Sequence, residues 1–255
     1  MIRSTKELTR CTLSATDGEI GLVKDFLFDE EQWTVRYLVA DTKKWLPGSR
    51  KVVISPISLG KPNINEHLMP VDLSLDRIKS SPTLDEKRPI SRRYEEQLFR
   101  YYGYAFYWMG PGAWGMRATP ERLLRDVDEN PNQPNTSGEN HYESHDENHD
   151  KNQSVRSCEE VKNYRVNTET ETIGHVVDFI INDETWKIDL IVVNTRNWWP
   201  GGEDILISPD RVKSISWSSH DISVNVSSEK LKNVPEFDSQ SFMSAESTEE
   251  LDYIH

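Results

Sequence analysis

Cysteine is scarce in this chain: Cys11 and Cys158 are the only two in 255 residues, too few for a disulfide framework. No uncharged apolar run reaches the roughly 18–20 residues that a spanning helix needs. The N-terminal residues also lack the apolar stretch of about 7–15 residues found in a signal peptide. Positive charge is short as well, with 30 Lys and Arg against 43 Asp and Glu and a formal net charge of −13. Hydrophobic residues make up 35%, below the roughly 45–50% usual when glycine is counted, so part of the chain is expected to join no core. These shortages argue against an integral membrane protein, a cystine-rich secreted domain and a generally basic nucleic-acid binder. A cytoplasmic protein is expected, with a peripheral place at the membrane surface as the variant. Phosphate loops, dinucleotide fingerprints, nucleophile elbows and the His-Glu-x-x-His zinc motif are also missing, and no enzyme is expected.

The negative charge is concentrated. Residues 128–154 carry seven acidic and one basic side chain, and residues 236–255 carry six acidic and none basic. The first segment, DENPNQPNTSGENHYESHDENHDKNQS, has one aromatic and no aliphatic residue. Such a stretch cannot bury enough apolar surface to offset its ordering entropy, so a disordered linker is expected, with 236–255 as a similar acidic tail. His141, His145 and His149 recur every four residues in the linker, a spacing that on a helix would stack three imidazoles on one face. The composition opposes a helix there, so a solvated linker is expected, with no metal and no cofactor.

The linker separates two similar segments. A shift of 153 residues aligns 3–82 with 156–235 without a gap, and 23 of the 80 pairs are identical. EIGLVKDFLFDEEQWTVRYLVADTKKWLPG lies over TIGHVVDFIINDETWKIDLIVVNTRNWWPG, and VVISP over ILISP. The chain divides into five regions: a domain at 1–82, an aromatic-rich helical extension at 83–127, the linker at 128–154, a second domain at 155–235, and the tail. Two copies are too few for a solenoid, so each is expected to bury a core of its own.

Within the first copy, short apolar and β-branched runs at 20–28, 35–40, 52–54 and 68–73 are bounded by Gly, Pro, Asp and Ser, which predicts strands. Gly21 and Gly174 fall at the same place inside a strand, where glycine marks a bulge or bend. Strongly bent short strands in about 80 residues predict a small closed barrel, which leaves no edge exposed. A helical turn is expected at 74–80, capped by Ser74 and stopped by Pro82. The fold class is therefore mostly β, with two small barrels and a short helical and aromatic extension after the first.

The ordered set Gly-x-Ile-Gly-x-Val-x-Asp-Phe, polar turn, hydrophobic strand and Ser-Pro-terminated strand resembles the PRC-barrel domain. That domain is found in the cytoplasmic part of the photosynthetic reaction centre H subunit and in the C-terminal half of a ribosome maturation factor. The matching residues are Ile20, Gly21, Val23, Asp25 and Phe26, and again Ile173, Gly174, Val176, Asp178 and Phe179. The resemblance implies two barrels and a bacterial, non-catalytic adaptor that docks on a larger protein assembly, at the membrane surface or under stress. It also implies two alternatives: an RNA-protein (ribosome) assembly factor, and a reaction-centre-associated protein. Self-association is compatible with each, and DNA is not an expected partner.

Asp25 and Asp178 each sit between apolar neighbours in a strand. Such a carboxylate either carries a proton or accepts backbone donors, and the second use is expected here. After the first copy, Ser91 is the expected N-cap for a helix that places Tyr94, Leu98, Tyr101 and Tyr102 along one face. The uncharged stretch YYGYAFYWMGPGAWGM occupies 101–116. It is expected either to pack against or between the barrels, or to face a protein partner; a nucleic-acid stacking platform is the third reading. The turns holding Trp45 and Trp198-Trp199 are equivalent and end in Pro-Gly. Trp45, Trp198 and Trp199, with Tyr104, Phe106, Tyr107 and Trp108, form the expected partner-binding face.

Overall fold

The structure, a computed structural model, describes residues 1–42, 51–84, 90–120, 155–196, 198, 202–227, 230, 237 and 253. It is mostly β. In the first half β1 (Ile2–Ser4) leads into a single turn of helix, α1 (Thr5–Leu8), and then to β2 (Thr12–Ala15), the long β3 (Gly18–Asp29), β4 (Thr34–Asp41) and β5 (Lys51–Ile54). Ser55-Pro56 takes the chain out of the sheet, because proline has no N–H to give a ladder, and Pro56–Ser58 forms a 3-10 turn. The half continues through β6 (Leu68–Pro70) and α2 (Leu75–Lys79), whose N-cap is Ser74, as expected. The extension contributes α3 (Arg92–Tyr102).

The second half runs through a corresponding order: β7 (Val155–Ser157), α4 (Cys158–Val161), β8 (Arg165–Asn167), β9 (Thr172–Asn182), β10 (Ile188–Asn194), β11 (Asp204–Ile207), a Pro209–Arg211 3-10 turn, β12 (Val212–Ser216) and β13 (Asp221–Val224). Equivalent turn positions also share a left-handed backbone, Trp33 with Trp186 and His67 with His220.

Two predicted features are corrected. Neither sheet closes into a barrel. The six-stranded sheet runs β5-β4-β3-β2-β6 and the seven-stranded one β11-β10-β9-β8-β13-β12, each with one further strand paired off this path. The departure at Ser-Pro leaves β5 and β11 as sheet ends. Nor does each half bury its core alone. The additional strands are exchanged: β1 pairs with β9 of the second half, Ile2 opposite Asn182, and β7 pairs with β3 of the first half, Val155 opposite Asp29. The long strands are long enough to take two neighbours along one edge, since β3 pairs β2 through residues 18–22 and β7 through 27–29. The main ladders meet where the Val35 amide donates to the Trp186 carbonyl (2.8 Å) and the Ile188 amide to the Trp33 carbonyl (2.7 Å). One apolar core therefore spans both halves, with the Phe28 and Phe179 rings 5.8 Å apart at its centre.

Bulges shape the strand pairs. Leu27 opposes Tyr37 while Phe28 opposes Val35, so Arg36 is the extra residue. Ile180 opposes Leu190 while Ile181 opposes Ile188, so Asp189 is its counterpart. A bulge re-aims the side chain of its extra residue, which matters at both places.

Candidate functional site

The two strand carboxylates bind the exchanged segments. Ser157, the N-cap of α4, donates its hydroxyl to Asp25 Oδ2 at 2.5 Å, and the Glu159 amide donates to Oδ1 at 3.1 Å. In the other half the Ser4 and Thr5 hydroxyls and the Lys6 amide all donate to Asp178. Each aspartate thus anchors the helical turn next to the strand added from the opposite half. Burial lifts the Asp25 carboxyl above the usual carboxylate range, with the Ser157 hydroxyl and the Glu159 and Phe26 amides pulling it back. The other signature residues Ile20, Phe26, Ile173 and Phe179 are core side chains. Gly21 and Gly174 lie where a Cβ would come within 2.0 Å of the Asp41 carbonyl oxygen and 2.2 Å of that of Asn194.

A polar network, invisible in the sequence pattern, is buried under the aromatic extension. Helix α3 has Ser91 as its N-cap, accepting from the Tyr94 amide, and left-handed Gly103 as its C-cap. On its inner face Glu95 is fully buried and receives hydrogen bonds from the Tyr37 and Tyr107 hydroxyls, both at 2.7 Å. Its other carboxylate oxygen lies 2.9 Å from Arg92 Nη1. Burial drives the Glu95 carboxyl upward against the pull of Arg92 and the two hydroxyls, and drives both tyrosine hydroxyls up as well. The bulge residue Arg36 is also buried: it pairs with Asp29 Oδ2 at 2.9 Å, donates to Gln32 and to the Ala113 carbonyl, and stacks its guanidinium 3.9 Å from the Tyr107 ring centre. A lone Arg between Val and Tyr in a strand gives no sign of this role in the sequence.

The expected partner-binding residues divide. Tyr104 and Tyr107 are buried, and the Tyr104 hydroxyl is bonded to that of Ser58. These two are placed inside the fold rather than on a docking face. Phe106 and Trp108 are half-buried and stacked at 4.7 Å, and Arg92 lies 3.9 Å over Trp108. Trp198 is half-buried, 5.6 Å from the His175 ring. Trp45 and Trp199, the linker histidines 141, 145 and 149, and the whole of 128–154 lie outside the described residues. Of the tail, only Phe237 and Tyr253 are described. The extension also ties the halves together, since the buried Trp114 donates its indole N–H to the Thr185 carbonyl at 2.7 Å.

Two neighbouring clefts open along this seam. One, of about 170 Å³, is lined by Arg36, Arg92, Tyr107, Trp108 and Val155 among others. The other, of about 430 Å³, lies between Trp33, the 111–113 loop, Lys187, Asp189 and the Ser208-Pro209-Asp210 turn. Acidic and basic groups are mixed in both. The two cysteines are buried and unpaired, and burial pushes the thiol of each above its usual value. Among the described residues, no group of three or more His, Cys, Asp or Glu is placed to hold a metal ion, and no helix is long and apolar enough to cross a membrane.

No protein-family model matches the chain, and no curated protein matches it either.

Proposed function

We propose that the chain is a non-catalytic binding module of the PRC-barrel type, an adaptor that docks on a larger protein assembly. The observation that carries this reading is the use made of Asp25 and Asp178. These in-strand acids are the best sequence candidates for proton transfer, yet both accept hydrogen bonds from the opposite half as well as from the amide that follows each. Glu95 and Arg36, the most deeply buried charges among the described residues, each lie in an internal ion pair. Among the described residues, what remains open is the two clefts and the surface beside them, including the half-buried Phe106, Trp108 and Trp198, and aromatic side chains of this kind anchor protein interfaces.

Immobilised intact chain, incubated with extract of its own cells, should retain a defined protein assembly at fixed stoichiometry that survives ribonuclease. Recovery of ribosomal particles lost on ribonuclease treatment would favour the RNA-protein assembly alternative. Retention of nothing above a control protein would overturn the reading.

A further inference from the structure

The duplicated bulge carries opposite charges, and only one of them is answered. In the first half Arg36 pairs with Asp29 Oδ2 at 2.9 Å and stacks 3.9 Å from the Tyr107 ring centre. The 153-residue shift places Asp189 on Arg36, Asn182 on Asp29 and Thr185 on Gln32, so the second half keeps the bulge and loses the pair. Asp189 is half-buried, and among the described residues it makes no hydrogen bond and no ion pair. Burial lifts its carboxyl above the usual carboxylate range, with Lys187 and the N-terminal ammonium pulling it back from a distance. A carboxylate held partly out of water without a donor costs stability. Asp189 lines the larger of the two seam clefts, about 430 Å³, together with Trp33, whose ring stacks on Phe28 at 5.4 Å. The charged side chains of that cleft are Glu31, Asp189 and Asp210 against Lys187, a balance that favours a cation.

We propose that this cleft receives an arginine side chain of a protein partner, its guanidinium paired with Asp189 and set against Trp33. The choice of occupant follows the fold's own solution at the equivalent bulge, where a guanidinium, a carboxylate and an aromatic ring come together. In the cleft the carboxylate and the ring stand side by side in the chain's pairing, since the Ile188 amide donates to the Trp33 carbonyl at 2.7 Å. Lys187 is exposed and forms no ion pair with Asp189, which leaves the carboxylate to an incoming group. Arginine suits the place better than lysine. Its planar fork bonds both oxygens of a carboxylate while its face lies on an indole, and it gives up water more readily than an ammonium does. An unpartnered, perturbed carboxylate in a cleft marks a functional site more often than a scaffold position.

Docking of an arginine deepens the protein-binding reading and rests on it, and the two are tested apart. The probe is acetyl-arginine amide, titrated into the isotopically labelled intact chain while the tryptophan indole N–H resonances are followed. The Trp33 resonance should move to saturation. Acetyl-citrulline amide, of the same shape without the charge, should leave it in place, and acetyl-lysine amide should bind several-fold more weakly. Asp189→Asn should weaken binding of the arginine probe at least about tenfold. That variant removes one of 43 acidic side chains, so a general attraction to an acidic chain would barely change. Its urea midpoint without probe should equal or exceed the parent's, because an unanswered, partly desolvated charge is lost. No saturable shift of Trp33, binding indifferent to Asp189, or equal affinity for the citrulline or lysine probe would overturn the proposal. A clearly lowered midpoint would assign Asp189 to the fold and overturn it too, as would retention by Asp189→Asn of the same assembly that the parent captures. A failed titration beside a captured assembly would sink the arginine site and leave the module reading standing.

Discussion

Glu95 shows how much one side chain can determine here. Fully buried, it unites β4, α3 and the aromatic loop through Tyr37, Arg92 and Tyr107. Removing one member of a buried charged network leaves the others unpaired, which costs about 3–5 kcal/mol, so Glu95→Ala is expected to destabilise on that scale in denaturant titrations. Glu95→Gln separates charge from shape. Because burial raises the carboxyl, the folded chain binds this proton more tightly than the unfolded chain. Stability from this group is therefore lost as pH rises from the unfolded value of about 4.3 through the raised folded value. The stability of the Gln variant relative to the parent should then improve from acid to neutral pH in urea midpoints. A relative decline would mean that Arg92 and the hydroxyls hold the carboxylate charged. The glycines act through space instead: a Cβ at Gly21 or Gly174 would meet a carbonyl oxygen at 2.0 or 2.2 Å, far inside contact distance. Ala at either position should fall among the rare substitutions costing more than about 4 kcal/mol, and a mild shift in the midpoint would show that β3 and β9 can move away from their neighbours.

Among the elements, the exchanged strands β1 and β7 are short and owe their place to the capped turns α1 and α4 beside them. Asp178→Ala would strand the Ser4 and Thr5 hydroxyls and leave the Lys6 amide only its capping bond to Ser4. A loss of about 1–3 kcal/mol is expected. Faster amide hydrogen exchange should be concentrated in β1 and α1; exchange rising evenly over β9 and β10 instead would mean that Asp178 supports the sheet rather than the added strand. Trp186 and Trp33 occupy equivalent turns but unequal surroundings. Trp186 is 2% exposed and lies 6.3 Å from Phe26 of the other half, whereas Trp33 is half-buried on Phe28. Trp186→Ala should cost about 3–5 kcal/mol and lower the melting of both halves together, with Trp33→Ala costing less. Calorimetry resolving a separate transition for one half would count against the shared core. The strands themselves were legible, because residues 35–40 and 52–54 are rich in β-branched and aromatic side chains and bounded by turn formers, and so were the caps Ser74 and Ser91. Strand exchange was not. Residues 2–4 and 155–157 align with each other whether each pairs at home or across, and hydrophobic periodicity carries no information about which copy of a partner is used. For the candidate site, the same aromatic pattern 101–116 could not say which rings face inward; Tyr104 and Tyr107 turn in because Ser58 and Glu95 offer them partners.

As a whole molecule, the chain behaves as one body threaded twice. From the polar composition of 128–154, proteolysis is expected to nick the chain there first. The two fragments should nevertheless elute together under native conditions and separate only in denaturant, because each carries a strand of the other's sheet. Fragments that part in native size-exclusion chromatography would show that the exchange is too weak to hold them. The exchange also has a consequence in time. Ile2 and its partner Asn182 are 180 residues apart. At synthesis rates of about 5–20 residues per second, β1 leaves the ribosome roughly 10–40 s before the edge it must join exists. Over most of that interval β3 exposes the edge that β7 will fill, and Asp25 has no N-cap to bind. The nascent first half is therefore expected to present residues 27–29 as an unpaired strand edge, a template for pairing with another chain, until residue 157 has been made.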